Sequence, residues 1–468
     1  MSTAFLNLPS ELYDEIADIC YNVGGHNLLR KCALVHPVFL PRVYSYFFNH
    51  ISFYSSTALA KDVRESRIAS FIDILHNRPF VAQLVKCFTL YLHMDNDWLV
   101  DEKDSNFPEL IRVLKEFGAQ PISLTIHKLP GSDFIYLPHP DKFNALVIQP
   151  LFAQSVKTLT IGNCDLIHPS TLSAFNCLED VTFDKVGIWD ILPSPGPPQK
   201  SLKLPRIRAL KINAFLTNDD GSKPLVKFWR ALPFDFSALQ RLQLPLEAGS
   251  DAADMYPLLR TPRDVLRSSS LREVRLLIKP FLEGNETTLD DLDFSRTAGI
   301  DEIRLTINLR DRIVAKIDLE PFIQALHALI STKLNPSLKV LIIDFAFGTS
   351  FQCQDAISRP YWSLFEQEIG PLKSHHPPSP GRHRRVNLDA RFNFAVGIAS
   401  AHGLRHGSLP NDWISDAAST LEYLFPNWFI HMYEVEDNQP FRNCIRLSVH
   451  STWPKPLVGD ELSLLDLR

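Results

Sequence analysis

The chain has 468 residues, 45% hydrophobic and 22% charged, with a formal net charge of −5 and a pI near 6.3. That is globular composition, with length for about two or three domains or for one extended repeat array. It argues against a nucleic-acid-binding surface, because lysine and arginine form no run apart from the short patch Arg382-His383-Arg384-Arg385.

No apolar run reaches the roughly twenty residues of a membrane helix, and Met1-Ser2-Thr3-Ala4-Phe5 lacks the basic and apolar regions of a secretory signal. The expectation is an intracellular protein, cytoplasmic and/or nuclear. Cysteines 20, 32, 87, 164, 177, 353 and 444 are odd in number and never form C-x-x-C. They read as small buried residues in a reducing compartment, not as a disulfide framework or zinc module. The sequon Asn285-Glu286-Thr287 would matter only in a secreted protein.

In chain order, Leu8, Leu12, Ile16 and Ile19 recur at three- and four-residue steps, so a helix sets them along one apolar stripe, with Glu11, Asp14, Glu15 and Asp18 mostly toward water. Pro9 suits its first turn, and Gly24-Gly25 ends it. Asn27 can cap a second helix with Leu28, Cys32 and Val35 on its face, closed by Pro37. A third short helix, 41–48, packs Val43, Tyr44, Phe47 and Phe48. So small a trio buries too little surface to enclose a core of its own, and something else must cover its remaining apolar face.

Leu8-Pro9, Glu11-Leu12, Ile16, Leu28, Cys32, Leu34-Val35, Phe39 and Pro41-Arg42 resemble an F-box, in the form common among fungal proteins. There an LP-x-EL helix is followed by a C-x-LV helix and an F-x-PR step into an aromatic-rich third helix. The resemblance spans roughly residues 5 to 53. It departs from many F-boxes in having Phe39 in place of Trp and a glycine-containing loop at 21–26. It implies docking on the Skp-type adaptor, and through it on the cullin, of a Skp-cullin-F-box ubiquitin ligase. Leu8, Pro9, Leu12, Ile16, Leu28, Leu29, Val35 and Phe39 would be the adaptor contacts. The residues alone leave a second reading open, an ordinary helical cap on the following domain.

A short strand at 51–54 follows, then a helix from Ser56 or Thr57 through Asn77 with Ala60, Val63, Ile68, Phe71, Ile72 and Leu75 as its apolar face, stopped by Pro79. The run 71–79 followed by 85–90 again resembles fungal F-box proteins, where such a helix leads into a first repeat strand. From there one alternating pattern recurs at 85–90, 122–126, 156–161, 178–183, 207–212, 239–244, 271–276, 303–307 and 338–343, roughly 22 to 38 residues apart. Returning helices are expected at 107–117, 225–232 and 320–334. The period resembles leucine-rich repeats in an irregular form, with the turn Asn clear only at Asn163.

The expected fold class is therefore α/β: a short three-helix F-box (1–53), a connecting helix (54–80), and an irregular leucine-rich-repeat-like solenoid with a curved parallel sheet (81–373). A basic Pro/His-rich loop (374–385) and atypical terminal repeats or a cap (386–468) complete it, with strands expected at 428–434 and 445–450 and a helix through 413–424. Pro193-Ser194-Pro195-Gly196-Pro197-Pro198 is a stiff surface loop. A conventional α/β domain with long loops is the alternative.

Residues that carry bond chemistry are sparse. G-x-S-x-G, G-x-x-x-x-G-K, H-E-x-x-H and G-x-G-x-x-G are all absent. His402 and His406 have metal-ligand spacing, with His375, His376 and His383 upstream, but no carboxylate or cysteine completes a set. Asp290-Asp291-Asp293 lacks calcium-loop spacing. Cys20 and Cys32 with His26 and His36 read as helix packing. The expectation is a protein that is not an enzyme, with no catalytic residue, no metal and no cofactor: a substrate receptor that joins an adaptor to an unidentified target protein. The rival readings are a repeat scaffold for protein interactions without a ligase, and an enzyme using the histidine-rich region 375–406.

Overall fold

The computed structural model describes residues 9–54, 58–92, 97–103, 105–128, 139–164, 167–187, 204–215, 232–246, 270–278, 300–309, 340–347, 387–395, 429–435, 444–450 and 462–463. The chain divides into two compact units, Met1–Ile207 with Phe215–Asp235, and Arg208–Ala214 with Phe236–Arg468.

The first unit is mixed α/β, as expected. Helices α1 (Ser10–Val35), α2 (Leu40–Phe48), α3 (Ala58–Asn77), α4 (Phe80–Leu84), α5 (Phe107–Glu116), α6 (Pro140–Phe143) and α7 (Pro169–Ser173) alternate with strands β1 (His50–Tyr54), β2 (Cys87–Leu92), β3 (Ser123–Lys128), β4 (Thr158–Gly162) and β5 (Asp180–Val186). Each strand pairs in parallel with the next in sequence, and the intervening helices supply the crossovers that parallel pairing requires. Register aligns Ile51, Phe88, Leu124, Leu159 and Val181 in one row, and Phe53, Leu90, Ile126, Ile161 and Phe183 in the next. All but Ile51 are buried. Phe107, Leu110, Ile111 and Leu114 of α5 are buried too. Phe88 gathers Phe152, Phe53 and Phe107 at ring separations of 5.2, 5.5 and 6.3 Å. Side chains alternate along a strand, so the opposite side of this sheet bears Ser52, Thr89, Thr125, Thr160 and Thr182 in register.

One backbone device recurs ahead of the strands. The Asn49 carbonyl accepts the N–H groups of both Lys86 and Cys87; Lys86 does the same for Ile122 and Ser123, Ile122 for Lys157 and Thr158, and Lys157 for Glu179 and Asp180. The residue just before each pair (Val85, Pro121, Val156, Leu178) is buried. These apolar residues therefore sit in the approach to a strand, and β2 and β4 begin two residues later than hydrophobic alternation alone suggests. Residues Asn144–Phe152 form a π-helix, closed by Ala153 N–H on the Ile148 carbonyl at 2.8 Å. Its wider winding accommodates Pro150, which has no N–H and would crowd a carbonyl in an α-helix.

The second unit continues the same scheme with β6 (Ala209–Phe215), β7 (Arg241–Leu246), β8 (Glu273–Ile278), β9 (Glu302–Leu309), β10 (Val340–Phe347) and β11 (Asn387–Ala395), each parallel to the next. Leu210, Leu242, Val274, Ile303 and Leu341 form its buried row. The doubly accepting carbonyls return at Arg208, Gln240 and Arg272. Strands β12 (Phe429–Val435), β13 (Cys444–His450) and β14 (Leu462–Ser463) add antiparallel in the order β11-β13-β12-β14. The parallel sheet expected over 81–373 thus runs on to β11, and the strands expected at 428–434 and 445–450 are antiparallel. Neither unit closes its strands into a barrel.

The helices expected at 320–334 and 413–424, both Pro-rich loops, the aspartates 290, 291 and 293 and the histidines 375, 376, 383, 402 and 406 lie outside the described residues. Of the helix expected at 225–232, only Leu232 is described, and it is not helical. Helix α3 departs from its expected face in two places: Val63 is exposed, and Arg64 is buried with its guanidinium 4.4 Å from the Trp98 ring.

Candidate functional site

The two helices expected on either side of Gly24-Gly25 run as α1 with a single break at Gly25, whose φ of 56° and ψ of −152° no ordinary side chain adopts readily. Pro9 stands just before the helix, its carbonyl accepting Leu12 N–H at 3.1 Å. After α1, Pro37–Phe39 make one 3₁₀ turn, started by the His36 Nδ1 atom, which accepts Val38 N–H at 3.2 Å. Helix α2 then folds back on α1.

Tyr13, Ala17, Leu29, Phe39 and Val43 form the small core of this trio, with Ile16, Tyr21, Cys32, Ala33, Val38, Tyr46 and Phe47 packed around it. Tyr13 meets Phe39 edge-on at 5.7 Å, and Tyr21 stacks on Tyr46 at 4.3 Å. Asp18 of α1 receives both Nε and Nη2 of Arg42 at 2.7 Å and the Tyr46 hydroxyl at 2.8 Å. The Arg42 hydrogen bond holds the Asp18 carboxyl below its usual range, and Asp18 in turn raises Arg42. Burial, and to a lesser degree contact with Cys20, raises the Cys32 thiol. On its other side α2 joins the rest of the unit, through Phe48 stacked on Phe71 at 5.9 Å and Tyr44 against Phe80 and Arg78.

The residues implied as adaptor contacts fall into three groups. Pro9, Leu12 and Val35 are exposed; Ile16 and Leu28 are half-buried; Leu29 and Phe39 lie inside the trio's own core. Leu8 lies outside the described residues. Residue spacing did not single out Val23 or Leu34, yet they are 79% and 87% exposed, beside Leu12 at 40%, Ile19 at 54% and Val35 at 56%. These five make up half of the large exposed apolar side chains among the described residues. Leu12, Ile19 and Val23 are separated by seven and four residues and so share one helical face. Exposed apolar side chains gathered on one helical face mark a docking surface or a liability. Glu11, Asp14 and Glu15 on the first arm and Arg30 and Lys31 on the second are exposed as well.

Among the described residues, no three His, Cys, Asp or Glu side chains gather as a metal-binding group, and no helix is long and apolar enough to cross a membrane. Comparison with family models, with curated proteins and with solved structures finds no match to this chain.

Proposed function

We propose that the chain is the substrate-receptor subunit of a Skp-cullin-F-box ubiquitin ligase, holding a Skp-type adaptor with α1 and its neighbours and a target protein with the strand-repeat region. The observation that carries the reading is the concentration of exposed Leu12, Ile19, Val23, Leu34 and Val35 on α1, within the segment whose residue order resembles an F-box. Supporting it, the Asp18–Arg42 pair and the Tyr13–Phe39 contact fix the trio's shape without using those five side chains. The chain itself would perform no bond chemistry. It would bring a target lysine beside a ubiquitin-charged enzyme, raising effective concentration.

The test is co-purification of the full chain with a Skp-type adaptor. Replacing Leu34 and Val35 by Asp should abolish capture while leaving the melting temperature unchanged, and Leu12→Ala alone should weaken it by about 2 kcal/mol. Wild-type chain that captures no adaptor, or the double variant capturing it undiminished, would overturn the proposal and leave a scaffold without ligase association.

A further inference from the structure

The open side of β1–β5 has a chemistry the helical trio does not use. Register places Tyr91, His127, Gly162 and Asp184 side by side on four successive strands. Tyr91 and His127 stack nearly parallel, 6.3 Å apart with 21° between planes. His127 leans across the next strand into space that Gly162 leaves empty: a Cβ added there would lie 2.3 Å from His127 Nδ1. The imidazole thereby approaches Asp184. Burial pushes His127 below its usual value, and the Asp184 charge opposes that shift. All three side chains are partly exposed.

Among the described residues of β1–β5, register places on this side the carboxylates of Asp180 and Asp184, the imidazoles of His50 and His127, and a row of Ser52 and four threonines; Lys185, exposed at a φ of 52°, follows Asp184 at the end of its strand. Asp184 makes no ion pair with a lysine or arginine among the described residues. We propose that this strip, with the His127 imidazole lying over Gly162 as its floor, receives an arginine side chain from an extended segment of the target protein. A guanidinium is planar and weakly hydrated: it lies along aromatic rings and forks onto a carboxylate, where the compact, strongly hydrated lysine ammonium matches neither feature. The hydroxyls of Thr125, Thr160 and Thr182 flank the strip and can bond the segment's backbone. The inference rests on the target-receptor reading above and names the chemistry of the target side.

The test uses the full chain and fluorescence anisotropy with a short Gly/Ser peptide bearing arginines, alongside twins carrying lysine or the neutral isostere citrulline. The arginine peptide should bind at least about tenfold more tightly than the citrulline twin and more tightly than the lysine twin. Asp184→Asn should erase the preference at an unchanged melting temperature. Thr182→Lys, which sets a competing cation beside Asp184 without touching it, should weaken binding in the same way. Equal binding of arginine and citrulline peptides, or a preference that survives Asp184→Asn, overturns the proposal. Adaptor capture by α1 is read separately, so failure of this proposal and failure of the receptor reading are told apart.

Discussion

Asp18 and Arg42, on different helices, meet through two parallel hydrogen bonds of 2.7 Å. The pair joins α1 to α2, and its contribution to stability has a definite pH dependence. Asp18 titrates lower in the folded chain than unfolded. Its contribution is therefore present above the unfolded carboxyl value of about 3.9 and is lost as pH falls through the lower folded value. With side chains 34% and 37% exposed, solvent screening limits the contribution to about 1 kcal/mol or less. Melting curves of wild type and Asp18→Asn across pH should be separated near neutrality and converge in acid. Curves that stay apart in acid would mean the pair contributes through packing alone.

Phe39 and Leu34 contrast a core role with a surface role in the same motif. Phe39 is 2% exposed against Tyr13, and Phe39→Ala should cost about 3–5 kcal/mol in chemical denaturation. Leu34→Ala should stay within about 0.5 kcal/mol, because its side chain touches mostly water. If both cost the same, the trio is not packed as described.

Gly25 has nothing within 4 Å of where a Cβ would stand, so the cost of Gly25→Ala comes from the backbone alone, about 1–3 kcal/mol. Asn often relieves such positions by tolerating left-handed helical angles. Here it should bring no relief, because a ψ of −152° lies outside that region. Denaturation of both variants decides the matter, and a neutral Gly25→Ala would mean that α1 can run on unbroken.

Asp344 is fully buried, one of its oxygens bonded to Arg304 and the other without a partner among the described residues. Arg304→Met leaves a buried carboxylate uncompensated and should destabilise by about 3–5 kcal/mol. Adding Asp344→Leu should recover most of that loss, since an apolar pair of similar size can replace an ion pair. A double variant no better than the single one would show that the site needs the charge itself.

Much of this architecture was legible from residues, and the misplacements have physical causes. Apolar spacing located α2, α3 and α5 to within a few residues. Most strands, however, start later than their apolar pattern, because Val85, Val156, Leu178, Leu239 and Leu271 are buried like strand residues while standing just before a pair of N–H groups that share one carbonyl. Ile122 is 48% exposed for the same reason: it occupies the place taken elsewhere by Lys86, Lys157 and Glu179. Residue type could not sort the trio, since an inward Leu29 and an outward Leu34 look alike until two helices meet. The burial of Arg64 was not legible among the charged residues that flank it, because only the fold brings Trp98 to its guanidinium. The Tyr91–His127–Asp184 strip needed register, which joins residues more than thirty positions apart.

Within each unit, the parallel strands pair with the neighbour next in sequence. Contacts of that kind close short loops and keep the search for partners local. A chain emerging from the ribosome can therefore lay down each new strand on one already in place, so that truncation from the C-terminal end should shorten the structure before it dissolves it.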